Sequence, residues 1–376
     1  MNNTNKTLEF NKIYKEQIFP ILRNYEVYRQ REYKKHIIYV TAIILAVVLI
    51  LCSWLLGCLS NFILSHDEYF IFFSLAPIII CVLIYFYTSH INKKNKTFTN
   101  TLKVNCMGKM LEIFGDIKWQ HKDTAKYHTT KVISDYTIQN CGLFLDYNHR
   151  EDDDCFYGTY EGVPFKILET HIWAESGSGK TRQVITAHKG VIIEFQTDKH
   201  TKNRTIIQTK GDITAKQAPY IFTILTVIGS IQEIIKSGLD IFVIILSLIV
   251  IVIVAVIEFS HSKKQEPLNK VTLEDPIFNK RFDVYSSDQT EARYMITTAF
   301  MERFYNIKTT FNAKNIKCSF IGDNLIIALQ TNKNLFEIGN LYKSLESPES
   351  INDFYNELSS ILKMVEYFKL DEKTRL

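Results

Sequence analysis

The segment IIYVTAIILAVVLILCSWLLGCL (Ile37–Leu59) contains no charged residue. A helix needs roughly 20 apolar residues to cross a bilayer, and this segment supplies them. A second uncharged run, YFIFFSLAPIIICVLIYFYTS (Tyr69–Ser89), follows after a short link that carries Asp67 and Glu68. The two runs therefore predict a transmembrane helical hairpin over residues 37–89.

Basic residues flank this hairpin on both sides and are absent from its link. The flanking basic residues are Arg29, Arg31, Lys34 and Lys35 before the first run, and Lys93, Lys94 and Lys96 after the second. Loops rich in Lys and Arg stay on the cytoplasmic side of a membrane. The sequence therefore predicts that both ends of the hairpin face the cytoplasm.

A second apolar region covers residues 217–260. It contains two uncharged stretches, Gln217–Gln232 and Ile241–Ile257, which a turn at Ser237-Gly238 would join into another hairpin. The alternative is a single span at 241–259 preceded by an interfacial helix, which would place the C-terminal third outside. Basic residues flank this region on both sides, which favours the hairpin because both of its ends would then face the cytoplasm. These residues are Lys210, Lys216, Lys263 and Lys264.

The remaining segments predict a water-facing α+β domain. Residues 1–36 form an N-terminal amphipathic cytoplasmic segment, residues 97–216 the first and mostly β part of the domain, and residues 265–376 the second and mostly α part. The predicted fold class is thus a membrane-anchored α+β protein. Its transmembrane helical hairpins carry a cytoplasmic domain with an antiparallel sheet flanked by helices.

The N-terminal segment has one apolar helical face and a proline, Pro20, that interrupts or kinks it. The face comprises Phe10, Ile13, Ile21, Leu22, Tyr25 and Tyr28. Such a face lies either on an anionic membrane surface or against the folded domain. We favour packing on the domain, because an apolar helical face is usually part of a core.

Local signals divide the rest of the domain into elements. The predicted turns are His188-Lys189-Gly190, Asp198–Arg204 and the hairpin turn Gly322-Asp323-Asn324. Asp288 and Glu291 fit a capping box, and Thr297 or Thr298 begins the next helix. Ile351–Leu370 is an amphipathic helix whose apolar face comprises Ile351, Phe354, Leu358, Ile361, Leu362 and Val365.

Composition excludes several classes of protein. The net charge of +4 is too small for a dedicated nucleic-acid binder, so no nucleic-acid partner is expected. The cysteines are odd in number, without a C-x-x-C, and are Cys52, Cys58, Cys81, Cys106, Cys141, Cys155 and Cys318. This pattern argues against a disulfide framework or a zinc ribbon and predicts free thiols in a reducing compartment.

The motif AESGSGKT (Ala174–Thr181) fits a phosphate-binding loop with Ala in place of the first Gly. In such a loop Gly179, Lys180 and Thr181 would contact phosphates and magnesium. The motif needs a helix after it, but the following TRQVITAHKGVIIEF is β-like. A hairpin loop rich in Gly, Ser and Lys is therefore the favoured interpretation, and nucleotide binding is the weaker alternative.

Two charged clusters have structural and functional interpretations. The acidic run Glu151–Asp154 could bind a hard cation, but it lacks the spacing of a calcium loop and predicts an exposed turn. A second set could line a site, but more simply caps helices and forms local pairs: Asp288, Glu291, Arg293, Glu302 and Arg303. No metal-binding or catalytic motif stands out, so no metal, cofactor or catalytic residue is predicted.

Two longer segments resemble a family of bacterial membrane proteins known as domain of unknown function 3137. They are GLFLDYNHREDDDCFYGTYEGVPFKILE (Gly142–Glu169) and LEDPIFNKRFDVYSSDQTEARYMITTAFMERF (Leu273–Phe304). The resemblance implies a pair of membrane helices followed by a soluble domain. The chain departs from that pattern at about 217–262, and no residue inherits a role from the family.

These observations predict a multi-pass protein of the bacterial inner membrane, with both termini cytoplasmic. The favoured function is a non-enzymatic, membrane-tethered scaffold or binding module with the lipid bilayer and an unknown protein or lipid as partners. The alternatives are a membrane-bound nucleotide-binding protein that uses Ala174–Thr181, or a small transporter or channel component. Glu233 and Lys236 lie at a predicted turn, which makes transport the weakest of the three.

Overall fold

The computed structural model describes residues 3–64, 70–121, 131–176, 182–212, 227–232, 234–235, 241–262 and 268–368. The chain forms two compact units. The helical unit comprises Met1–Ile113 and Phe336–Asn356. The sheet unit comprises Phe114–Leu335 and Glu357–Leu376.

Three helices and a coil dominate the helical unit. The helices are α1 (Asn3–Ile13), α2 (Phe19–Leu64) and α3 (Phe70–Leu111), with a π-helical turn at Tyr14–Ile18 and a 3-10 turn at Glu112–Phe114. The long helices α2 and α3 are antiparallel, because Tyr25 contacts Asn105 and His36 contacts Tyr87. Both continue well beyond the apolar runs, since residues 90–107 contain neither Gly nor Pro to end α3.

The N-terminal helices bury one face within the helical unit. Its buried side chains are Phe10, Tyr14, Ile18 and Leu22. Phe10 stacks on Tyr355 with 4.3 Å between ring centroids. The π-helical turn ends two residues before Pro20, whose ring supplies no N–H to an earlier carbonyl. The predicted interruption is therefore a local widening of the helix, and the apolar face packs against protein.

Among the described residues, the sheet unit contains seven strands and helices of 6 to 22 residues. The strands are β1 (Ile117–His121), β2 (His149–Tyr160), β3 (Val163–Ser176), β4 (Gln183–Thr209), β5 (Asn269–Val271), β6 (Phe282–Ser286) and β7 (Asn315–Gln330). The helices are α4 (Asp135–Asn140), α5 (Ile241–Ser262), α6 (Pro276–Arg281), α7 (Gln289–Met295) and α8 (Thr298–Thr310). The C-terminal helix is α9 (Glu349–Tyr367).

All strand pairs are antiparallel, and β4 lies at the centre of the sheet. The order is β1-β2-β3-β4-β6-β5, and β7 also pairs with β4. The first part of β4, up to Phe195, pairs with β3. Its last part, up to Thr209, pairs with β6 along the same edge. The strand β7 pairs with β4 from Gly190 to Gln208. The predicted antiparallel α+β fold is confirmed.

Apolar side chains cover both faces of the sheet. One face packs against the segment that includes α4, in a cluster of Ile133, Ile138, Cys141, Leu143, Phe144, Cys155, Leu168, Ile172, Ile192, Ile206, Ile326 and Ala328. The other face packs against α8, where Phe300 contacts Phe320 and Phe304 contacts Phe282. A sheet buried on both faces explains why its central strands read as nearly continuous apolar runs.

Three predicted turns are wrong, because each lies inside a continuous strand. His188-Lys189-Gly190 and Asp198–Arg204 belong to β4, and Gly322-Asp323-Asn324 belongs to β7. The register between β4 and β7 shifts between Gln196 and Thr201 and again before Thr205. The turn-forming residues therefore produce bulges, which bend a strand without ending it.

Within the described residues, one helix has the length and hydropathy to cross a bilayer. It covers Leu8–Cys52 near the N-terminus, and its most apolar window is not buried. In the second region, α5 contributes the shorter apolar helix Ile241–Ile253. The predicted turn at Ser237-Gly238 lies outside the described residues. The structure thus supports one N-terminal apolar helix and does not support several transmembrane hairpins.

Candidate functional site

The surroundings of α2 change from one end to the other. Near its beginning, Leu22, Glu26 and Arg29 are buried inside the helical unit. Further along, exposed apolar side chains follow one another, and they include Ile37, Ile38, Tyr39, Ile44, Leu45, Val48, Leu49 and Leu51. A large exposed apolar surface marks a membrane or protein interface. Each such side chain gains about 1.5–3 kcal/mol on leaving water, so this surface favours an apolar environment.

A buried ion pair anchors the polar part of α2. Arg29 donates to the Glu26 carboxylate through Nε at 2.8 Å and through Nη2 at 2.7 Å. The same carboxylate accepts from the Leu345 N–H at 2.9 Å, and Arg29 Nη1 donates to the Leu341 carbonyl at 3.2 Å. Burial raises the pKa of Glu26, but these hydrogen bonds and one from Gln30 outweigh it and lower the pKa to about 2.

The coil segment 336–345 is bound to both long helices. Its apolar side chains Phe336, Ile338, Leu341 and Leu345 are buried. Its contacts with α3 are Lys103 Nζ to Glu337 at 2.8 Å, Thr99 Oγ1 to the Gly339 carbonyl at 3.2 Å, and the Leu341 N–H to Asn95 Oδ1 at 2.9 Å. Because the ion pair holds the same coil to α2, the relative position of the two helices is fixed here.

A second set of polar contacts lies close to the start of the apolar surface. Lys94 of α3 and Lys35 both bind the Glu32 carboxylate, and together they lower the pKa of Glu32. One turn further on, His36 Nδ1 lies 2.6 Å from the Tyr87 hydroxyl. These contacts join α2 and α3 at the level where their apolar segments meet their polar ends.

An open pocket lies between α2 and α3 beside these contacts. Its volume is about 560 Å³, and its lining residues are Asn24, Tyr25, Tyr28, His90, Lys93, Lys94, Thr97, Phe98 and Thr101. The rings of Tyr28 and Phe98 stack with centroids 5.9 Å apart, and Tyr25 meets Phe98 edge-on. The lining combines basic groups with aromatic surfaces and contains no Asp or Glu.

In the sheet unit, Arg150 is the centre of a polar cluster. Its guanidinium donates to Asp135 at 2.7 Å, to Asp152 at 2.8 Å and to the Ile133 carbonyl at 2.9 Å. The Tyr147 hydroxyl also donates to Asp135. Both donors, Arg150 and Tyr147, and all of their acceptors belong to the sheet unit. The cluster therefore attaches α4 and the segment before it to β2.

Buried titratable groups lie near the centre of the sheet. Burial, with a smaller effect of the charge on Lys317, lowers the pKa of His188 to about 3. Burial also lowers the pKa of Lys317, although its partner Asp212 at 3.3 Å opposes the shift. Lys317 Nζ additionally donates to the Leu143 carbonyl. His188 is thus neutral in the folded protein, and both side chains contribute to the packed interior.

Residues 186–370 match the family model described as "Protein of unknown function (DUF3137)". This part of the chain is a DUF3137 region. The second of the two predicted signatures, Leu273–Phe304, lies inside it, and the first, Gly142–Glu169, lies before it. The DUF3137 region includes β4 from residue 186 onward together with β5, β6 and β7, so the family match covers the centre of the sheet and not α2 or α3.

No curated protein shows significant sequence similarity to the chain. A crystal structure of the mycobacterial trehalose monomycolate transport factor A, TtfA, aligns with it at 6% identity. The alignment covers 67% of this chain and 87% of that chain, with a TM-score of 0.29. A score this low carries no conclusion about the fold or function of this chain.

The phosphate-loop motif begins at the end of β3 and lies before the DUF3137 region, which starts at residue 186. Ser176 at the end of β3 pairs with Gln183 at the start of β4. A strand therefore follows the motif, whereas a phosphate-binding loop leads into a helix. Gly179, Lys180 and Thr181 lie outside the described residues, so nucleotide binding by them stays a prediction.

The acidic run is not the exposed turn that the sequence predicted. Glu151–Asp154 belongs to β2, and Asp154 is fully buried. Asp152 accepts from Arg150 and from Thr170 Oγ1, and Asp154 accepts from Trp119 Nε1 at 2.9 Å. The carboxylates are compatible with a strand because Arg150 of the same strand and side chains of the neighbouring strands β1 and β3 supply these donors.

Two members of the charged set, Asp288 and Glu291, have structural roles. Asp288 caps α7 by accepting from the N–H groups of Thr290 and Glu291, as predicted, and Thr297 caps α8. Glu291 does not complete a capping box. Its carboxylate accepts instead from the backbone N–H groups of Lys202 and Asn203, each at 2.9 Å. It thereby fixes the bulged part of β4, which local sequence could not reveal.

Sequence reasoning missed the Glu26–Arg29 pair and the coil segment 336–345. The buried apolar positions of the N-terminal helices end at Leu22, and Glu26 and Arg29 continue the buried face at the next helical positions. Two charges on a buried face signal a distant polar partner, since buried charges must be paired. That partner is more than 300 residues away in sequence, at Leu341 and Leu345.

Four cysteine thiols are expected to resist alkylation in the folded protein. Burial raises the pKa of Cys106 to about 11 and of Cys141 and Cys155 to about 12, and it raises the pKa of Cys318 as well. A thiol reacts as thiolate, so a pKa two or three units above normal slows labelling by about 100-fold or more. Mass spectrometry after maleimide treatment should find these thiols modified only in denaturant. If any of these thiols in the folded protein reacted with maleimide as fast as the thiol of free glutathione does, that result would contradict the burial described.

Glu291→Gln is expected to destabilise the sheet unit by about 1–2 kcal/mol. The glutamine amide keeps one acceptor oxygen but places its NH2 group against one of the two backbone N–H groups. One hydrogen bond to a charged acceptor is therefore lost, and such a bond contributes about 1.5–3 kcal/mol. Glu302→Gln, an exposed change on α8, is the matched control and is expected to cost less than about 0.5 kcal/mol. Hydrogen exchange of β4 and β6 measures the difference, and equal effects of the two variants would refute the role of Glu291.

Proposed function

We propose that this chain is a non-enzymatic, membrane-tethered binding module. The observation that carries the proposal is the continuity of α2 (Phe19–Leu64). One unbroken helix contains both the buried Glu26–Arg29 pair and the exposed apolar surface that begins at Ile37. A helix built in this way attaches a folded unit rigidly to a bilayer. A flexible tether would need a loop between the two parts.

The titratable groups with strongly shifted pKa values support a binding role over catalysis. His188, Lys317 and the four buried cysteines are enclosed in the protein. Catalytic groups with shifted pKa values lie in clefts that substrates can enter. No observation among the described residues favours nucleotide binding or transport over the binding of a protein or lipid partner. The partners proposed are the bilayer itself and a further protein or lipid, and nucleic acid is not among them.

We further propose a multi-pass arrangement in a bacterial inner membrane, with both termini in the cytoplasm. On α3, the exposed apolar side chains Val82, Leu83, Ile84, Tyr85 and Phe86 support a second membrane helix beside α2. On α5, most large apolar side chains from Ile241 to Ile253 are exposed, which supports membrane contact in the 217–260 region. Basic residues on the flanks of both regions support the orientation.

Carbonate extraction of cell membranes tests the tether. The full chain is expected to stay in the membrane, and Leu45→Lys combined with Leu49→Lys is expected to lower the retained fraction, because it removes the contribution of α2 while the other proposed spans keep theirs. Each Lys at the centre of a membrane helix costs about 2.5–3.5 kcal/mol. The matched control, Leu8→Lys with Val27→Lys, places the same charges at exposed apolar sites nearer the N-terminus and should remain bound. Release of the unaltered chain by carbonate would overturn the proposal.

Reporter fusions test the multi-pass arrangement. Fusions after residues 95, 215, 265 and 376 are expected to report the cytoplasm, and a fusion after residue 238 the outside. If the fusions after 265 and 376 report the outside, the 217–260 region spans once. The proposed location of the C-terminus is then incorrect, although α2 still tethers the chain.

A further inference from the structure

The pocket between α2 and α3 opens where the apolar segment of α3 ends. His90 directly follows Ser89, the last residue of the apolar run, and Lys93 lies one helical turn beyond it. With a rise of 1.5 Å per residue, Ser89 and Lys93 are about 6 Å apart along the helix axis. The headgroup layer of one leaflet is about 5–7 Å thick. In the proposed membrane arrangement, the basic groups therefore lie at the depth of lipid phosphates.

The basic groups of the pocket exceed the acidic groups near it. Lys94 and Lys35 share the Glu32 carboxylate. His90 and Lys93 make no side-chain hydrogen bond or ion pair within the part of the chain that the structure describes. The mouth of the pocket thus presents one uncompensated ammonium group and an imidazole. This charge is complementary to a phosphate diester.

The inner wall fits a small hydroxylated group. Thr97 Oγ1 donates to the Lys93 carbonyl and Thr101 Oγ1 donates to the Thr97 carbonyl, so both hydroxyl oxygens keep free lone pairs. These oxygens can accept from ligand hydroxyls. The stacked rings of Tyr28 and Phe98 supply an apolar surface for carbon-bound hydrogens. The volume of about 560 Å³ lies within the usual range of ligand pockets, about 300–1,000 Å³.

We propose that this pocket binds the headgroup of an anionic glycerophospholipid with a hydroxylated headgroup, such as phosphatidylglycerol. The phosphate contacts His90 and Lys93, and the headgroup hydroxyls contact Thr97 and Thr101. The acyl chains follow the exposed apolar side chains of α3 from Phe86 toward Val82. The proposal rests on the membrane location proposed above and names the lipid that α2 and α3 select.

Native mass spectrometry of the full chain tests this assignment. The protein is reconstituted in nanodiscs of phosphatidylcholine with a minority of phosphatidylglycerol and then released in mild detergent. One phosphatidylglycerol molecule is expected to remain bound. His90→Gln with Lys93→Gln is expected to lower its occupancy about tenfold, since one charge-assisted contact contributes roughly that factor. Both residues are exposed, so the variant should fold.

The control is Lys96→Gln, which removes the same charge from an exposed site of α3 outside the pocket. It is expected to retain the lipid. Equal loss in the two variants, or equal retention of phosphatidylcholine, would overturn the assignment in favour of unspecific attraction. Displacement by millimolar inorganic phosphate would identify a site for free phosphate and would also overturn it.

Carbonate extraction of the His90→Gln/Lys93→Gln variant separates the two proposals. If the variant stays in the membrane but binds phosphatidylglycerol as the unaltered chain does, only the lipid assignment fails. If the unaltered chain is itself released by carbonate, the tether fails, and with it the membrane depth on which the pocket assignment depends.

Discussion

Arg29→Ala is expected to destabilise the attachment of the coil segment 336–345 by about 3–5 kcal/mol. The substitution leaves the Glu26 carboxylate buried without its bidentate partner, and breaking a buried ion pair on one side has a cost of this size. It also removes the donor to the Leu341 carbonyl. The loss is local, because the contacts that are broken lie within the helical unit.

Hydrogen exchange of residues 336–345 in the detergent-purified chain measures this effect. It reports the free energy of local opening and does not require the two units to unfold together. Arg23→Ala is the control, because Arg23 is an exposed residue less than two turns earlier on α2. Similar exchange rates in the two variants would contradict the structural role of the pair.

The same pair predicts a dependence on pH. The pKa of Glu26 is about 2 in the folded protein and 4.5 ordinarily. Its contribution to stability is therefore complete above about pH 4.5 and is lost as the pH falls toward 2, in total about 3 kcal/mol. Glu26→Gln should remove this part of the acid sensitivity of segment 336–345. An unchanged acid profile in that variant would show that other carboxylates dominate.

Gly190→Ala is expected to destabilise the sheet unit by more than about 3 kcal/mol. A Cβ at this position would lie 2.1 Å from the Leu329 carbonyl oxygen and 2.9 Å from the Thr331 nitrogen. Both atoms belong to backbone on the β7 side of β4, so relief of the collision separates paired strands. The φ angle of +143° adds strain for any residue with a side chain.

Gly211→Ala separates the collision from the backbone strain. Gly211 also has a positive φ, of +81°, but a Cβ there would meet no atom within 4 Å. It is expected to cost about 1–2 kcal/mol, the usual penalty for a left-handed residue. Thermal unfolding monitored by circular dichroism compares the two variants. A Gly190→Ala protein as stable as the Gly211→Ala protein would contradict the strand pairing described for β4 and β7.

Gly190 also shows how far the sequence could predict this sheet. Its neighbours His188 and Lys189 suggested a turn, and the glycine does mark unusual backbone geometry. However, β4 continues through it because β3 and β7 pair with it on both sides. Pairing partners distant in sequence decided between a turn and a bulge, and a local pattern contains no information about them.

Periodic patterns were more informative for the helices. The predicted face of the C-terminal helix, from Ile351 to Val365, is buried throughout in α9. The apolar runs correctly located the exposed parts of α2 and α3 but not their full length. Both helices extend far into polar sequence because the coil segment 336–345 and the N-terminal helices pack against those parts, and these contacts are distant in sequence.

The candidate site was the least predictable part of the molecule. The sequence offered Gly179, Lys180 and Thr181 as a weak candidate, and these residues lie outside the described ones. The pocket between α2 and α3 instead joins Tyr28 to His90 and Lys93. From the sequence, Tyr28 stood out only as part of a helix face and Lys93 only as a flanking charge, and His90 did not stand out. Their proximity follows from the antiparallel packing of two long helices, and the length of each polar extension was not evident from hydropathy.

The most direct test of the membrane tether is cysteine labelling along α2. In a background of Cys52→Ser, Cys58→Ser and Cys81→Ser, the buried native thiols remain unreactive. In inside-out vesicles, Arg31→Cys is expected to react with a membrane-impermeant maleimide, and Val48→Cys is expected to react only after detergent is added. Equal labelling of the two positions in intact vesicles would contradict the claim that one continuous helix joins the folded unit to the bilayer.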